Sequence, residues 1–381
     1  MEFELSESHR ILKCSVREFA LTEIAPHAAR WDEAERFPSD LMPKLAKMGL
    51  LGIRIPEQYG GSGMDMVSYA ICVEELAQAD GATALTVASH NGLGTGHVLA
   101  FGSEDQKQRY LPRAASGEAL AAWALTEPGN GSDAAAVRTT AHRDGGQWVL
   151  NGTKTFITQG SVAAFCVVLA RTNSSAPATK GITAFIVDCA SRGVTVSRHL
   201  RKLGCRASDT AEIALEDVCL GDAQRLGRVD QGFIDAMKIL DRGRIGIAAM
   251  AVGLGNGALQ RAAMHARNRR AFGKAIGEFE AVRWMLANAR TELSAATLLT
   301  RRAAWLADQA RPYTREASIA KLFASESATR ACQSAVQIFG GYGYAREFEV
   351  ERFLRDAKLC EIGEGTSEVQ RLVIAKHVLA S

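Results

Sequence analysis

No apolar run in the sequence is long enough to cross a bilayer: the longest, Val162 to Ala170 and Ile245 to Gly255, stop well short of the roughly 18 residues required. Paired cysteines are missing as well. Cys14, Cys72, Cys166, Cys189, Cys205, Cys219, Cys332 and Cys360 lie far apart with no companion histidine at ligand spacing, which excludes a zinc scaffold and reads as reduced, mostly buried thiols. The opening MEFELSESHRILKC lacks the basic and apolar regions of a secretory signal, so the expected location is cytoplasmic, with no membrane partner. Long basic runs are absent too. The formal charge of +3 is the small difference between 45 basic and 42 acidic residues, without the footprint that a nucleic-acid partner needs.

What is present is ordinary globular composition, 47% hydrophobic and 23% charged over 381 residues, enough for two or three coupled domains. Residues 1–120 read as an all-α domain, with apolar positions at three- and four-residue spacing (Ile11, Val16, Phe19, Ile24; Leu41, Leu45, Met48). Residues 121–230 read as a small antiparallel β-domain, from short β-rich runs at Trp148 to Leu150, Thr153 to Thr158, Phe165 to Leu169, Ile182 to Val187 and Ala211 to Leu215. Between two of these, Thr172 to Lys180 reads as an exposed hairpin loop. Residues 231–381 return to helix and predict a four-helix bundle, with an apolar stripe at Val282, Met285, Ala289, Leu293, Ala296, Leu299, Ala303 and Leu306. The fold class is therefore α+β and multidomain, and the βαβ alternation of a Rossmann sheet is missing. Gly253, Gly255 and Gly257 read as helix-packing glycines, because no strand precedes them.

Three segments carry chemistry: Leu125 to Asp133 (LTEPGNGSD), Gln337 to Gly343 (QIFGGYG), and Arg355 to Lys358 followed by Glu361 to Gln370 (EIGEGTSEVQ). With these in this order, the chain resembles the acyl-CoA dehydrogenase family over essentially its whole length. The run LDxGRIGIA, here Leu240 to Ala248, is similar to the short-chain, butyryl-CoA dehydrogenase-like branch. The resemblance implies an FAD flavoprotein that converts a short- to medium-chain acyl-CoA thioester to the trans-2-enoyl thioester. It further implies an electron-transfer flavoprotein as acceptor and a homotetramer.

Glu364 is similar to the family's catalytic base, the carboxylate that removes the proton next to the thioester carbonyl while flavin N5 accepts the hydride. Taken without its motif, a glutamate beside Gly365 and Thr366 reads as a solvated helix-cap acid. The resemblance assigns Trp123, Leu125, Thr126 and Ser132 to one side of the flavin and Phe156, Ile157 and Thr158 to the other. It assigns Arg269, Phe272, Gln337, Ile338, Gly340 and Gly341 to the FAD of a neighbouring subunit, and Thr366 and Glu368 to FAD as well. Substrate contacts fall to Ser132, Asp241, Arg244 and Gly365. Asp241 and Arg244, expected at a helix start, equally make a structural ion pair.

Departures from the family pattern are informative. Gly363 stands where many relatives have a tyrosine, which enlarges or exposes the acyl pocket. Phe156 replaces a commoner tryptophan, and Glu280 a flavin-contacting glutamine. Gly243 occupies the position at which the isovaleryl and long-chain branches carry their glutamate. No arginine or lysine lies in Thr86 to Gly96, where glutaryl-specific relatives place one, which disfavours a dicarboxylic substrate. Three other readings stay open: an acyl or aminoacyl group on a carrier protein, a flavin oxidase or monooxygenase, and a non-catalytic helical binding protein.

Overall fold

A computed structural model describes residues 4–380. Seven helices come first: α1 (Glu7–Phe19), α2 (Ala25–Glu33), α3 (Met42–Lys47), α4 (Met66–Ala77), α5 (Gly81–Ser89), α6 (Thr95–Phe101) and α7 (Glu104–Ala115). The starts of α4, α5 and α7 are written in the sequence as caps. The Asp65 carboxylate accepts from Ser68 N at 2.7 Å to cap α4, Asp80 accepts from Thr83 N at 2.8 Å to cap α5, and Ser103 with Gln106 forms a capping box on α7.

Strands follow: β1 (Ala121–Ala124), β2 (Thr140–Asp144), β3 (Gln147–Thr158), β4 (Phe165–Arg171), β5 (Ile182–Asp188), β6 (Val194–His199), β7 (Thr210–Leu220) and β8 (Arg225–Leu226). They form one sheet in the order β6-β7-β3-β2-β4-β5-β8, antiparallel along most of its ladders, while β1 joins parallel to β4. The segment Thr172 to Lys180 does connect a hairpin, β4 to β5. Trp148, Leu150, Phe185, Val187 and Leu215 fill the core on one face of this sheet.

The last third comprises α8 (Gly232–Asn268), a short hairpin β9 (Arg270–Ala271) and β10 (Lys274–Ala275), then α9 (Glu280–Asp308), α10 (Thr314–Phe339), α11 (Val350–Ile362) and α12 (Ser367–Ala380). Helix α8 is buried along most of its length, and its glycines are contact points. Side chains at Gly253 and Gly257 would collide with the backbone of Glu74 and Gln78, and one at Gly255 with Leu293. Backbones therefore approach closely, so the amino-terminal and carboxyl-terminal helices share a single core.

Two further contacts lock the β-domain to the helices. The start of α8 at Gly232 abuts the backbone of Ile182 to Ala184, and the Cys205 N–H donates to Asp356 Oδ1 at 2.5 Å. All eight cysteines are free. No helix among the described residues is long and apolar enough to cross a membrane.

Candidate active site

Helix α11 ends where Gly363 N bonds back to Leu359 O at 2.8 Å, and α12 begins four residues later at Ser367. Glu364 lies in this link with φ +54°, followed by Gly365 at φ +92°. The left-handed region costs a residue with a Cβ about 1 kcal/mol, so the turn has to be held by its surroundings. Lys321 Nζ donates to Gly365 O at 2.6 Å, and Gln370 Nε2 donates to the same oxygen at 2.8 Å and to Glu364 O at 3.3 Å. Both side chains are fully buried.

The Glu364 carboxylate rests against Gly243. Its Oε2 is buried with no hydrogen-bond partner, and a methyl group on Gly243 would overlap it and crowd Leu93. Burial pushes the carboxyl pKa up to about 7, against the opposing pull of Lys321 and Arg244. A solvated cap acid would have neither property. Nearby, the Tyr69 hydroxyl donates to Ala88 O at 3.1 Å and sits against Gly92 and Gly246.

Asp241 and Arg244 are not at a helix start, as the sequence suggested. Helix α8 begins at Gly232, because nothing between that glycine and Asp241 breaks it, so the pair lies well inside the helix. The two side chains make a buried ion pair at 2.7 Å, and Thr314 Oγ1 donates to Asp241 Oδ2 at 2.6 Å. Arg244 Nε is left buried without a partner.

Strand β1 carries the opposite wall. Trp123 and Leu125 are buried, Thr126 is half-buried, and Ser132 is exposed on the following turn. Glu127 anchors that turn: its carboxylate accepts from Lys154 Nζ at 2.7 Å, Arg138 N at 2.7 Å and Thr139 N at 2.9 Å. Burial works the other way, yet the Lys154 charge and these donors hold Glu127 below the ordinary carboxylate range. In β3 the pairing with β7 slips between Lys154 and Ile157, and in this bulge Phe156 takes φ +57° and stands 67% exposed. Ile157 turns its side chain into the sheet core, while Thr158 is half-buried.

A π-helical turn, His90–Gly94, joins the two walls. Leu93 lies beside Gly243 and packs in one apolar cluster with Trp123 and Leu125. His90 Nδ1 accepts from Ala121 N at 3.1 Å, and His97 Nδ1 accepts from Trp123 Nε1 at 2.9 Å, fixing β1 and its indole.

Arg269, Ile338, Gly340 and Gly341 meet elsewhere, with His265 and Tyr342, around a cavity of about 440 Å³. Added side chains at Gly340 and Gly341 would meet no atom within 4 Å, so this backbone is open. Phe272 at 93% exposure and the exposed Gln337 lie outside the lining. Thr366 and Glu368 lie beside Glu364 and away from this cavity: Thr366 Oγ1 accepts from Val369 N at 3.3 Å, and Glu368 is exposed in the first turn of α12. Arg244 lies within the continuous helix α8 and Arg269 follows its last residue, Asn268, so at 1.5 Å per residue the helix separates them by about 37 Å.

Three family models match the chain, the acyl-CoA dehydrogenase N-terminal domain over residues 6–118, the middle domain over 122–218 and the C-terminal domain over 230–379. The chain belongs to the acyl-CoA dehydrogenase family. Among relatives of this acyl-CoA dehydrogenase, a probable acyl-CoA dehydrogenase of Bacillus subtilis is 47% identical, with all of both chains covered. The caffeyl-CoA reductase-Etf complex subunit CarC of Acetobacterium woodii is 43% identical over 98% of this chain and 99% of the relative. The butyryl-CoA dehydrogenase structure from Megasphaera elsdenii superposes with a TM-score of 0.97 at 37% identity, covering 100% of both chains.

Within this acyl-CoA dehydrogenase, Gly363 has φ −65°, a value open to any residue, and a Cβ there would meet only Leu359 atoms at 3.5 Å or more. The backbone does not require glycine at that position. Glu280 is exposed at the first position of α9.

Proposed function

We propose that the protein is an FAD-dependent acyl-CoA dehydrogenase acting on short- to medium-chain thioesters, with Glu364 as base. The observation that carries this is the buried, unpartnered Glu364 Oε2 seated on Gly243. An acceptor oxygen without a partner is open to a proton from substrate carbon, and a pKa of about 7 balances proton affinity against ionisation near neutral pH. Once protonated, the carboxyl is neutral in the apolar setting of Leu93 and Gly243, where the charged form is disfavoured. Gly365 stays in the assignment as a substrate contact through its backbone N–H, since its carbonyl is taken by Lys321 and Gln370.

The residues present suit FAD. Phe156 offers an exposed aromatic face, Thr126 and Thr158 offer half-buried hydroxyls, and Trp123 and Leu125 form the apolar back wall. Arg269 with the open backbone of Gly340 and Gly341 suits the anionic diphosphate and adenosine half. When bound, FAD supplies the hydride acceptor. Ile157 would contribute through its backbone, and Ser132, exposed on the turn, is placed for substrate and ring alike. Phe272, Gln337, Ile338, Thr366 and Glu368 stay in the assignment as contributors to FAD, and Asp241 and Arg244 to substrate through the groups their ion pair leaves free.

The separation of Arg269 from the base supports a cofactor shared between copies, and hence a homo-oligomer, by resemblance a tetramer. Exposed apolar side chains at Phe272, Trp284, Leu372 and Leu379 agree with this. An electron-transfer flavoprotein is the proposed acceptor, supported by the relative that serves in an Etf complex. A division of the chain at residues 120 and 230 accompanies this reading, since the helix-to-strand change falls between α7 and β1 and α8 starts at Gly232.

Glu364→Gln is expected to abolish dehydrogenation while the purified protein stays yellow. Turnover retained in that variant would move the base elsewhere. Anaerobic bleaching with short, branched, aromatic and dicarboxylic acyl-CoA thioesters, each beside its carrier-protein counterpart, identifies the acyl group and its carrier.

A further inference from the structure

The turn that presents Glu364 combines two left-handed residues in succession, and its carbonyls are taken by side chains from two other helices. Lys321 reaches it from α10 and Gln370 from α12, and both bond to Gly365 O. Neither side chain sees solvent, so no water competes for these bonds. A lysine wholly removed from water needs a reason to stay charged. The groups facing it are Cys360 and Glu361 of α11, Glu364 itself, and Arg244 of α8, while Glu361 is already engaged by Lys358 Nζ at 2.6 Å and by Thr329. Burial brings the Lys321 ammonium down only to about 8, so it carries its charge at pH 7.

We propose that Lys321 and Gln370 are positioning residues for the proton transfer: together they clamp the turn that carries Glu364, and of the two only Lys321 also brings a charge to it. This rests on the reading of Glu364 as the base. The two roles separate because Gln370 is neutral. Removing it loosens the turn without changing the field, whereas removing the lysine charge weakens the ionised form of Glu364. The sign follows directly. A cation lowers the pKa of a nearby carboxyl, so its loss raises that pKa and moves the acid limb of kcat/KM to higher pH.

The test uses the full-length holoenzyme in four forms: native, Lys321→Gln, Lys321→Met and Gln370→Leu. Lys321→Gln removes the charge and retains a donor for Gly365 O, and serves if Lys321→Met does not fold. Two quantities are read: the pH profile of kcat/KM with a short-chain acyl-CoA, and carboxyl infrared absorption titrated from pH 5 to 9 against Glu364→Gln. Both lysine variants are expected to move the acid limb and the carboxyl titration up by about one pH unit or more, so that kcat/KM at pH 6 falls about tenfold. Gln370→Leu is expected to lower kcat with the limb unmoved. A folded Lys321→Gln protein whose limb and infrared titration match the native enzyme overturns the proposal, as does a Gln370→Leu limb displaced as far as the lysine variants. Absence of any Glu364-dependent carboxyl titration in the native enzyme would defeat the assignment of the base itself, a result separate from either.

Discussion

Gly243 matters for what a single methyl group there would displace. The atoms in its way are the far ends of two side chains, the Glu364 carboxylate and, at 3.0 Å, Leu93 Cδ2, so the helix need not move and the carboxylate swings aside instead. Gly243→Ala should therefore leave stability unchanged or raise it by up to about 1 kcal/mol, because alanine is the better helix former. Catalysis should fall about a hundredfold, the cost of moving a reacting group by around an ångström, and a comparison of melting temperature with kcat separates the two effects. Glu364 stands out in the sequence as a candidate because it sits in a long motif whose chemistry is distinctive. Gly243 reads only as the position where other branches carry their glutamate, and its contact with Glu364 needed the fold. Lys321 and Gln370 do not stand out. A lysine at a helical position ordinarily reads as solvated surface, and only the packing of α10 against the base turn shows it buried.

Elements were legible where they are buried and obscure where they are not. Strands β4 and β5 announce themselves as apolar runs, and α9 as a stripe, because each turns a face to the core. Strand β6, exposed along nearly all its length, has no such pattern, and β1, AAWA, has no β-branched residue and is otherwise alanine around Trp123. The bulge in β3 that turns Phe156 outward also escaped pattern reading, since a slip in pairing depends on the partner strand. The same strand supplies Lys154 to Glu127, and this buried pair fixes the turn carrying Thr126 and Ser132. Glu127→Gln strands the ammonium, and the expected loss is about 3–5 kcal/mol by denaturant unfolding, with weaker flavin retention. Adding Lys154→Met to that variant should recover part of the stability, because no unpaired charge then remains in the core.

At the scale of the molecule, helix α8 acts as a ruler. Its first third seats the Glu364 carboxylate on Gly243, and its end presents Arg269, stacked over the Tyr342 ring at 5.5 Å, to a cavity floored by Gly340 and Gly341. The sequence could name both ends from their motifs, but only the unbroken helix gives their spacing within one chain, about 37 Å along its axis, and this spacing is what supports the proposed sharing of the cofactor. If a second copy completes each flavin site, cofactor binding and association are linked, and each strengthens the other by mass action. Arg269→Gln should then weaken FAD binding about tenfold or more, as expected for a lost charge-assisted contact, and should make flavin release steeper on dilution. Sedimentation of the variant with added FAD should restore the native assembly, and without it should show smaller species. An Arg269→Gln protein that keeps native flavin content and native mass at every concentration would place the adenosine half of the cofactor away from this cavity.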